Sequence, residues 1–196
     1  LFPYTTLFRS VDTAAYRAPA PRPADLPSGR TAVYVGTLHR DRLDVALCLR
    51  LADRLCGIGT IVMIGPVLLP PKDLELMTKA GIRAMGPRPA REVPAYLQHA
   101  DVLLVPHVVT PFTESLDPIK AYEYRAAGRP IIATPVAGFR GDRSGQVVAV
   151  DGRTFPELVA ERLLEHVPTV RPEGVPDWAD RVGSIREVLL AVKGAA

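Results

Sequence analysis

Lys120 and Glu123 stand three residues apart, and Gly128-Arg129-Pro130 follows them. At that spacing the two charged side chains share one face of a helix. Asp117 is placed to be the N-cap of that helix, and Pro118 suits its first position, where a missing N–H costs nothing. Gly128 suits the left-handed residue that closes a helix, and Pro130 stops it. A helix start offers free amides, here around Pro118 and Ile119, and such a start binds phosphate. Lys120 adds a cation to it, and Glu123 can accept hydrogen bonds from two hydroxyls of a ribose. Together these residues point to a nucleotide. An exposed ion pair on an ordinary helix accounts for the two charges as well. The cap and the position of the segment at a strand end favour the ligand.

Further candidates lie at other strand ends. Gly36 follows Ala32-Val33-Tyr34-Val35 and precedes Thr37, His39, Arg40 and Arg42. Glycine lets backbone approach a ligand closely, and arginines suit a pyrophosphate. Gly65 follows a second apolar run, and Gly86-Pro87 a third, which adds Pro87 to the candidates. His39 and His107 also fall at strand ends, where His39 carries a small functional weight. Gly138, Gly141 and Gly145 fit either a ligand-facing loop or a surface turn. No G-x-G-x-x-G follows the first strand, which disfavours a dinucleotide oxidoreductase, and no P-loop lysine motif occurs. Cys48 and Cys56 lack a second pair, so a buried thiol is expected there rather than a metal site or disulfide.

These residues need a frame that brings strand ends together, and the chain supplies one. From Thr31 onward apolar runs alternate with helical patterns. Strands are expected at 32–35, 60–64, 82–85, 102–105 and 131–133, with a sixth at an edge over 146–150. Leu43, Leu47, Leu51 and Leu55 mark one amphipathic helix. Others are expected over 73–79 and 92–99, and two more close the chain. The last would set Trp178, Val182, Ile185, Leu189 and Val192 on one face. This alternation predicts an α/β, Rossmann-like parallel sheet with helices on both faces. Ligands of such sheets bind outside the carboxyl ends of the strands. The loops after Gly36, Gly65, Gly86, Val105 and Thr134 therefore form the expected site.

The chain has 196 residues, 47% hydrophobic, with a net charge of +3 and a pI near 9.0. That length supports one domain with a substantial core and falls short of two. Lys and Arg are scattered, so no nucleic-acid partner is expected. No apolar run reaches the ~18 residues of a membrane span. Unpaired cysteines fit a reducing cytoplasm.

The segment Pro118-Ile119-Lys120-Ala121-Tyr122-Glu123-Tyr124-Arg125-Ala126-Ala127-Gly128-Arg129-Pro130-Ile131-Ile132-Ala133-Thr134 resembles the donor-binding segment of GT-B glycosyltransferases of the retaining family 4 (glycosyl transferases group 1). Those enzymes carry a Glu-x7-Glu motif, and Glu123 matches its second Glu. The first would fall at Ser115, with Glu114 immediately before it. Tyr34-Val35-Gly36, Ile64-Gly65-Pro66, Met85-Gly86-Pro87 and residues 100–106 are similar to the family's other strand ends. Val11-Asp12-Thr13, Tyr16 and the prolines after them resemble its interdomain linker. Residues 1–10, LFPYTTLFRS, are instead similar to the translation of a sequencing adapter.

The resemblance implies three parts: a non-native scar at 1–10, a linker remnant at 11–30 and a donor-binding domain at 31–196. The acceptor-binding domain would precede them, in cis, and be missing. It implies transfer of a hexose, with retention, from a UDP-, GDP- or ADP-linked donor to an acceptor hydroxyl. No metal or other cofactor would take part. Lys120 and Arg42 would stabilise the departing diphosphate, with Gly36, Gly65, Pro87, Pro118, Ile119 and the weaker Arg40 around the donor. Glu123 would fix the ribose, and Glu114 or Ser115 would meet the sugar. This fragment alone would be inactive. A nucleotide-sugar epimerase and a non-catalytic nucleotide-binding module are the alternatives.

Overall fold

The computed structural model describes residues 10–116, 119–165 and 174–194. Asp117 and Pro118, expected to cap and start the site helix, lie outside these residues, as do the first nine residues.

Six strands form one parallel sheet: β1 (Thr31–Val35), β2 (Thr60–Ile64), β3 (Arg83–Ala84), β4 (Val102–Val105), β5 (Ile131–Ala133) and β6 (Val147–Ala149). Their order is β3-β2-β1-β4-β5-β6. The chain fills the sheet in one direction as far as β3, then returns to the centre and fills the other side. The strand order thus reverses between β1 and β4, and doubly wound sheets bind their ligands in the crevice outside the carboxyl ends of the strands at such a point. β4 and β5 are buried throughout and β1 and β2 at all but one end position each, as their continuous Val, Ile, Leu and Ala runs require. β3 is shorter than the apolar run suggested. It pairs with β2 alone, and Arg83 is exposed there.

Helices cover both faces. α1 (Ala14–Arg17) precedes the sheet, and α2 (Val45–Arg54) and α3 (Pro71–Lys79) follow β1 and β2. Asp44 caps α2, its carboxylate accepting the Leu47 N–H at 2.8 Å. Leu43, Leu47, Leu51 and Leu55 are all buried, so the four-residue period is a core face. Pro71 starts α3, two residues before the sequence reading placed it. α4 (Val93–Gln98) follows a 3-10 turn over Ala90–Glu92, and α5 (Pro111–Glu114) and α6 (Ile119–Ala127) lie between β4 and β5. α7 (Phe155–Leu164) and α8 (Trp178–Gly194) close the chain.

One core, built on Leu47, Leu51, Met77, Phe155 and Val159, lies between the sheet and α2, α3 and α7. The other, with Tyr96, Leu97, Tyr124 and Phe139, lies under α4 and α6. Along α8, Trp178, Val182 and Leu189 are exposed, and the side chain of Val192 lies outside the described residues. No described helix is long and apolar enough to cross a membrane.

Residues 11–30 have a linker's composition yet lie along the domain. Val11 N–H donates to the Pro176 carbonyl at 3.2 Å, and Ala20 N–H to Gln98 Oε1 at 2.8 Å. Arg88 reaches Asp25 at 2.7 Å, and Leu26 is buried in the second core. Several of the anchors come from side chains of the domain, which a composition reading cannot show.

Candidate functional site

The crevice between β1 and β4 is built from glycine outward. Gly36 follows β1 with φ +150°, and Gly65 follows β2 with φ +141°, values that L side chains rarely adopt. Gly36 N–H donates to the Ile64 carbonyl at 2.8 Å, and Gly65 N–H to the Gly86 carbonyl at 2.9 Å. The strand ends are thereby stitched into one floor. A Cβ on Gly65 would sit 2.2 Å from the Gly36 carbonyl oxygen. A Cβ on Gly36 would meet the Lys120 Nζ at 2.6 Å and the Tyr34 hydroxyl at 2.9 Å. The first glycine makes room for backbone, the second for an ammonium group.

Helix α6 brings that ammonium across the crevice. One turn beyond Lys120, Tyr124 is fully buried, and its hydroxyl accepts the Val35 N–H at 2.8 Å. This bond ties the helix to the last residue of β1. Lys120 therefore reaches back over the strand end, with its Nζ 3.9 Å from the Tyr34 ring centroid and 6.0 Å from that of Tyr124. Burial, then the nearby Arg42 charge, lowers the Lys120 pKa to about 7, with Glu123 opposing the shift. Glu123 is partly buried, and burial raises its pKa while Lys120 opposes. Among the described residues no ion pair within 4 Å joins the two. The exposed-ion-pair alternative for this segment thus lacks its contact.

Arg42 approaches from the loop after β1. Its carbonyl accepts the Val108 N–H at 2.8 Å, which joins that loop to the one after β4. Its guanidinium lies 5.9 Å from the Phe112 ring centroid, and its buried Nε has no hydrogen-bond partner among the described residues. A buried cationic donor without an acceptor suits an anionic ligand.

The remaining candidates are arranged differently. Arg40 is held by Asp73 at the start of α3, with Nη2 to Oδ1 at 2.6 Å and a second contact through Nε. The carboxylate keeps its pKa low through this partner, and Arg40 is not a free cation. Glu114, at the end of α5, receives Arg140 Nη2 on Oε2 at 2.5 Å, while its buried Oε1 accepts no hydrogen bond from the described residues. The Ser115 hydroxyl turns back to the Phe112 carbonyl at 2.7 Å. Pro87 is exposed on the loop after β3, and Ile119 is 48% exposed at the start of α6. Gly36, Gly65, Arg42, Lys120 and Glu123 thus come together. Arg40 turns away, and Glu114 and Ser115 are engaged at the rim.

Three tyrosines that were not singled out for the site complete it, with His107, which the sequence placed at a strand end and gave no functional weight. Tyr34 underlies Lys120. Tyr124 sits four residues after Lys120, a spacing that could have revealed it. Tyr16, on α1, lies near enough to Glu123 for that charge to help raise its pKa, after burial. His107 packs edge-on against Tyr34, with ring centroids 5.8 Å apart, and its Nε2 lies 3.3 Å from the Tyr34 hydroxyl. Burial first, then Lys120 and Arg42, keeps His107 uncharged. Arg140 stands in the glycine-rich loop after β5, where a surface turn explained the sequence equally well.

Comparison with known proteins bears on what this crevice serves. The family described as Glycosyl transferases group 1 matches residues 29–177. Over 60 residues the chain is 32% identical to TuaH of Bacillus subtilis (strain 168), a protein named for teichuronic acid biosynthesis glycosyl transfer; the match covers 31% of this chain and 15% of TuaH. HepE of Anabaena, solved in complex with UDP, superposes with a TM-score of 0.68 at 13% identity, covering 93% of this chain and 56% of HepE. The C-terminal domain of the group 1 glycosyl transferase LpcC from Francisella tularensis superposes with a TM-score of 0.54 at 16% identity, covering 80% of this chain and 89% of that domain. The chain spans only part of TuaH and about half of HepE. The sheet order and flanking helices are those of a Rossmann-like half of the GT-B fold.

Proposed function

This chain belongs to the glycosyl transferases group 1 family, and from that premise we propose that it is the donor-binding half of a GT-B enzyme of family 4. The enzyme would transfer a hexose, with retention, from a nucleotide-sugar to an acceptor hydroxyl. One observation carries the reading. Two cations that have no carboxylate ion-pair partner among the described residues, Lys120 over Gly36 and Arg42 facing Lys120, stand beside a floor of two glycines at the point where the strand order reverses.

A departing nucleoside diphosphate gathers negative charge on its β-phosphate. Lys120 and Arg42 are positioned to receive that charge, and a site of low dielectric makes each contact count for more. Two cations supply this without a metal ion. Glu123 lies one turn along α6, on the same helix as Lys120, and takes the ribose hydroxyls. Its raised pKa means that the buried carboxylate gains from such donors. Glu114, at the opposite rim, meets the sugar through the oxygen that Arg140 leaves unpaired. The acceptor is held by another half of the full-length protein. That HepE was solved with UDP supports a uridine donor as the first to try.

Calorimetric titration with UDP, GDP, ADP and NAD tests the assignment. Binding of one nucleoside diphosphate, strongly weakened in Lys120→Ala, is expected, together with no sugar transfer by this chain alone. Tight NAD binding, or diphosphate binding indifferent to Lys120, refutes it.

A further inference from the structure

The Lys120 ammonium has no carboxylate within ion-pair distance among the described residues, yet it occupies a defined place. What holds it there is a ring. Tyr34 is fully buried at the last but one position of β1, and its face lies 3.9 Å from Nζ. Aromatic faces attract cations, and more strongly where water is excluded. The ring itself is fixed from behind. Its hydroxyl donates at 3.3 Å to the Thr37 carbonyl and faces His107 Nε2, also at 3.3 Å. His107 is fixed in turn, because its N–H donates to Thr134 Oγ1 at 3.1 Å and its carbonyl accepts from that hydroxyl at 2.7 Å. The ends of β1, β4 and β5 thus brace one aromatic ring beneath one ammonium.

We propose that Tyr34 is a positioning residue for donor binding: its ring face, braced by His107 and Thr37, holds the Lys120 ammonium over Gly36, where a diphosphate meets it. This rests on the donor-site reading above. It adds a residue that touches no ligand and acts only through Lys120.

The groups facing Lys120 are Arg42 from the loop after β1, Tyr34 from β1, His107 after β4, and Glu123 and Tyr124 from α6 itself. Tyr34 supplies the nearest aromatic attraction to the charged form. Its removal should be felt at Lys120 and wherever Lys120 is used.

The test is a double-mutant cycle read by binding of inorganic pyrophosphate, which needs no nucleobase. Tyr34→Leu should weaken binding roughly tenfold. Tyr34→Phe, which keeps the ring, should stay within about threefold. In a Lys120→Ala background Tyr34→Leu should change nothing further. An equal loss in both backgrounds, or no loss in the parent, overturns the proposal. Because Tyr34 is buried, Tyr34→Leu can fail to fold. Tyr34→fluorophenylalanine, with a ring-fluorinated residue close in shape to phenylalanine, then replaces it. Weaker binding than in Tyr34→Phe supports the proposal, and equal binding refutes it.

A second readout needs no ligand. The Lys120 ionisation midpoint, followed by NMR of its ε-carbon, should fall when the ring is removed or fluorinated and hold in Tyr34→Phe. An unchanged midpoint defeats the Tyr34 inference even if pyrophosphate binds. Conversely, absence of any pyrophosphate binding by the parent chain defeats the donor-site reading, and the midpoint alone then decides the role of Tyr34.

Discussion

Lys120 should take up a proton when a diphosphate binds above neutral pH. Its pKa in the free protein is about 7, down from 10.5, because the ammonium is desolvated and faces Arg42. At pH 8 roughly one Lys120 in ten is then charged. A diphosphate beside Nζ favours the charged form, so binding at that pH should draw in about 0.9 proton. Affinity should fall as pH rises above 7, by up to tenfold per unit, since each unit of protonation costs about 1.4 kcal/mol. Below pH 7 this dependence should flatten.

The assay is calorimetry of UDP binding at pH 8 in two buffers of different ionisation enthalpy. The difference in observed heat gives the protons exchanged. The terminal phosphate of the nucleotide, which titrates near pH 6, is already ionised at pH 8 and adds little to the count. Lys120→Ala should abolish the uptake along with most of the affinity. Uptake near zero in the parent chain, with affinity flat between pH 7 and 9, would show that Lys120 is charged before the ligand arrives. The electrostatic reading of the crevice would then be wrong.

Other outcomes follow from the same geometry. Gly65→Ala should destabilise the fold by about 3 kcal/mol or more, because backbone blocks its Cβ and its φ is strained, and thermal unfolding will show it. Gly36→Ala should cost less stability but displace the Lys120 ammonium, so pyrophosphate titration should register the larger effect. Glu123→Gln should weaken UDP about tenfold and pyrophosphate by clearly less, through the lost support of the Lys120 charge, and equal losses would remove Glu123 from the ribose. Arg40→Ala should keep UDP affinity within about twofold, since its guanidinium already serves Asp73.

Much of this arrangement was legible in the sequence because it is written in local terms. The β1 and β5 runs are apolar without alternation, as strands covered on both faces must be, and Gly128 with Pro130 ends α6 where the structure ends it. The glycines at 36 and 65 stand where only glycine fits, so their positions announced the site floor. Side-chain pairing was less visible. Arg40 and Arg42 look alike in sequence, two residues apart, and only the placement of Asp73 on α3 decides that one is neutralised and the other is not. Glu114 is similar, since its partner Arg140 lies far along the chain across β5. The linker-like stretch was read from proline content, which reports what a segment cannot form and says nothing of what it rests on.

The segment that first suggested a nucleotide gains a stricter meaning from its tyrosine. Position 120 carries a cation, position 123 a carboxylate and position 124 the anchor to Val35. One turn of α6 therefore carries the residues proposed for phosphate and for ribose, together with the bond that registers both against the sheet. A helix attached only at its ends could slide by a fraction of a turn and carry Lys120 off Gly36. The bond from Val35 N–H to the Tyr124 hydroxyl prevents that, and it gives a part-buried backbone donor its partner. The same bond therefore secures the end of β1 and the aim of Lys120, so that stability and ligand geometry cannot be separated at Tyr124.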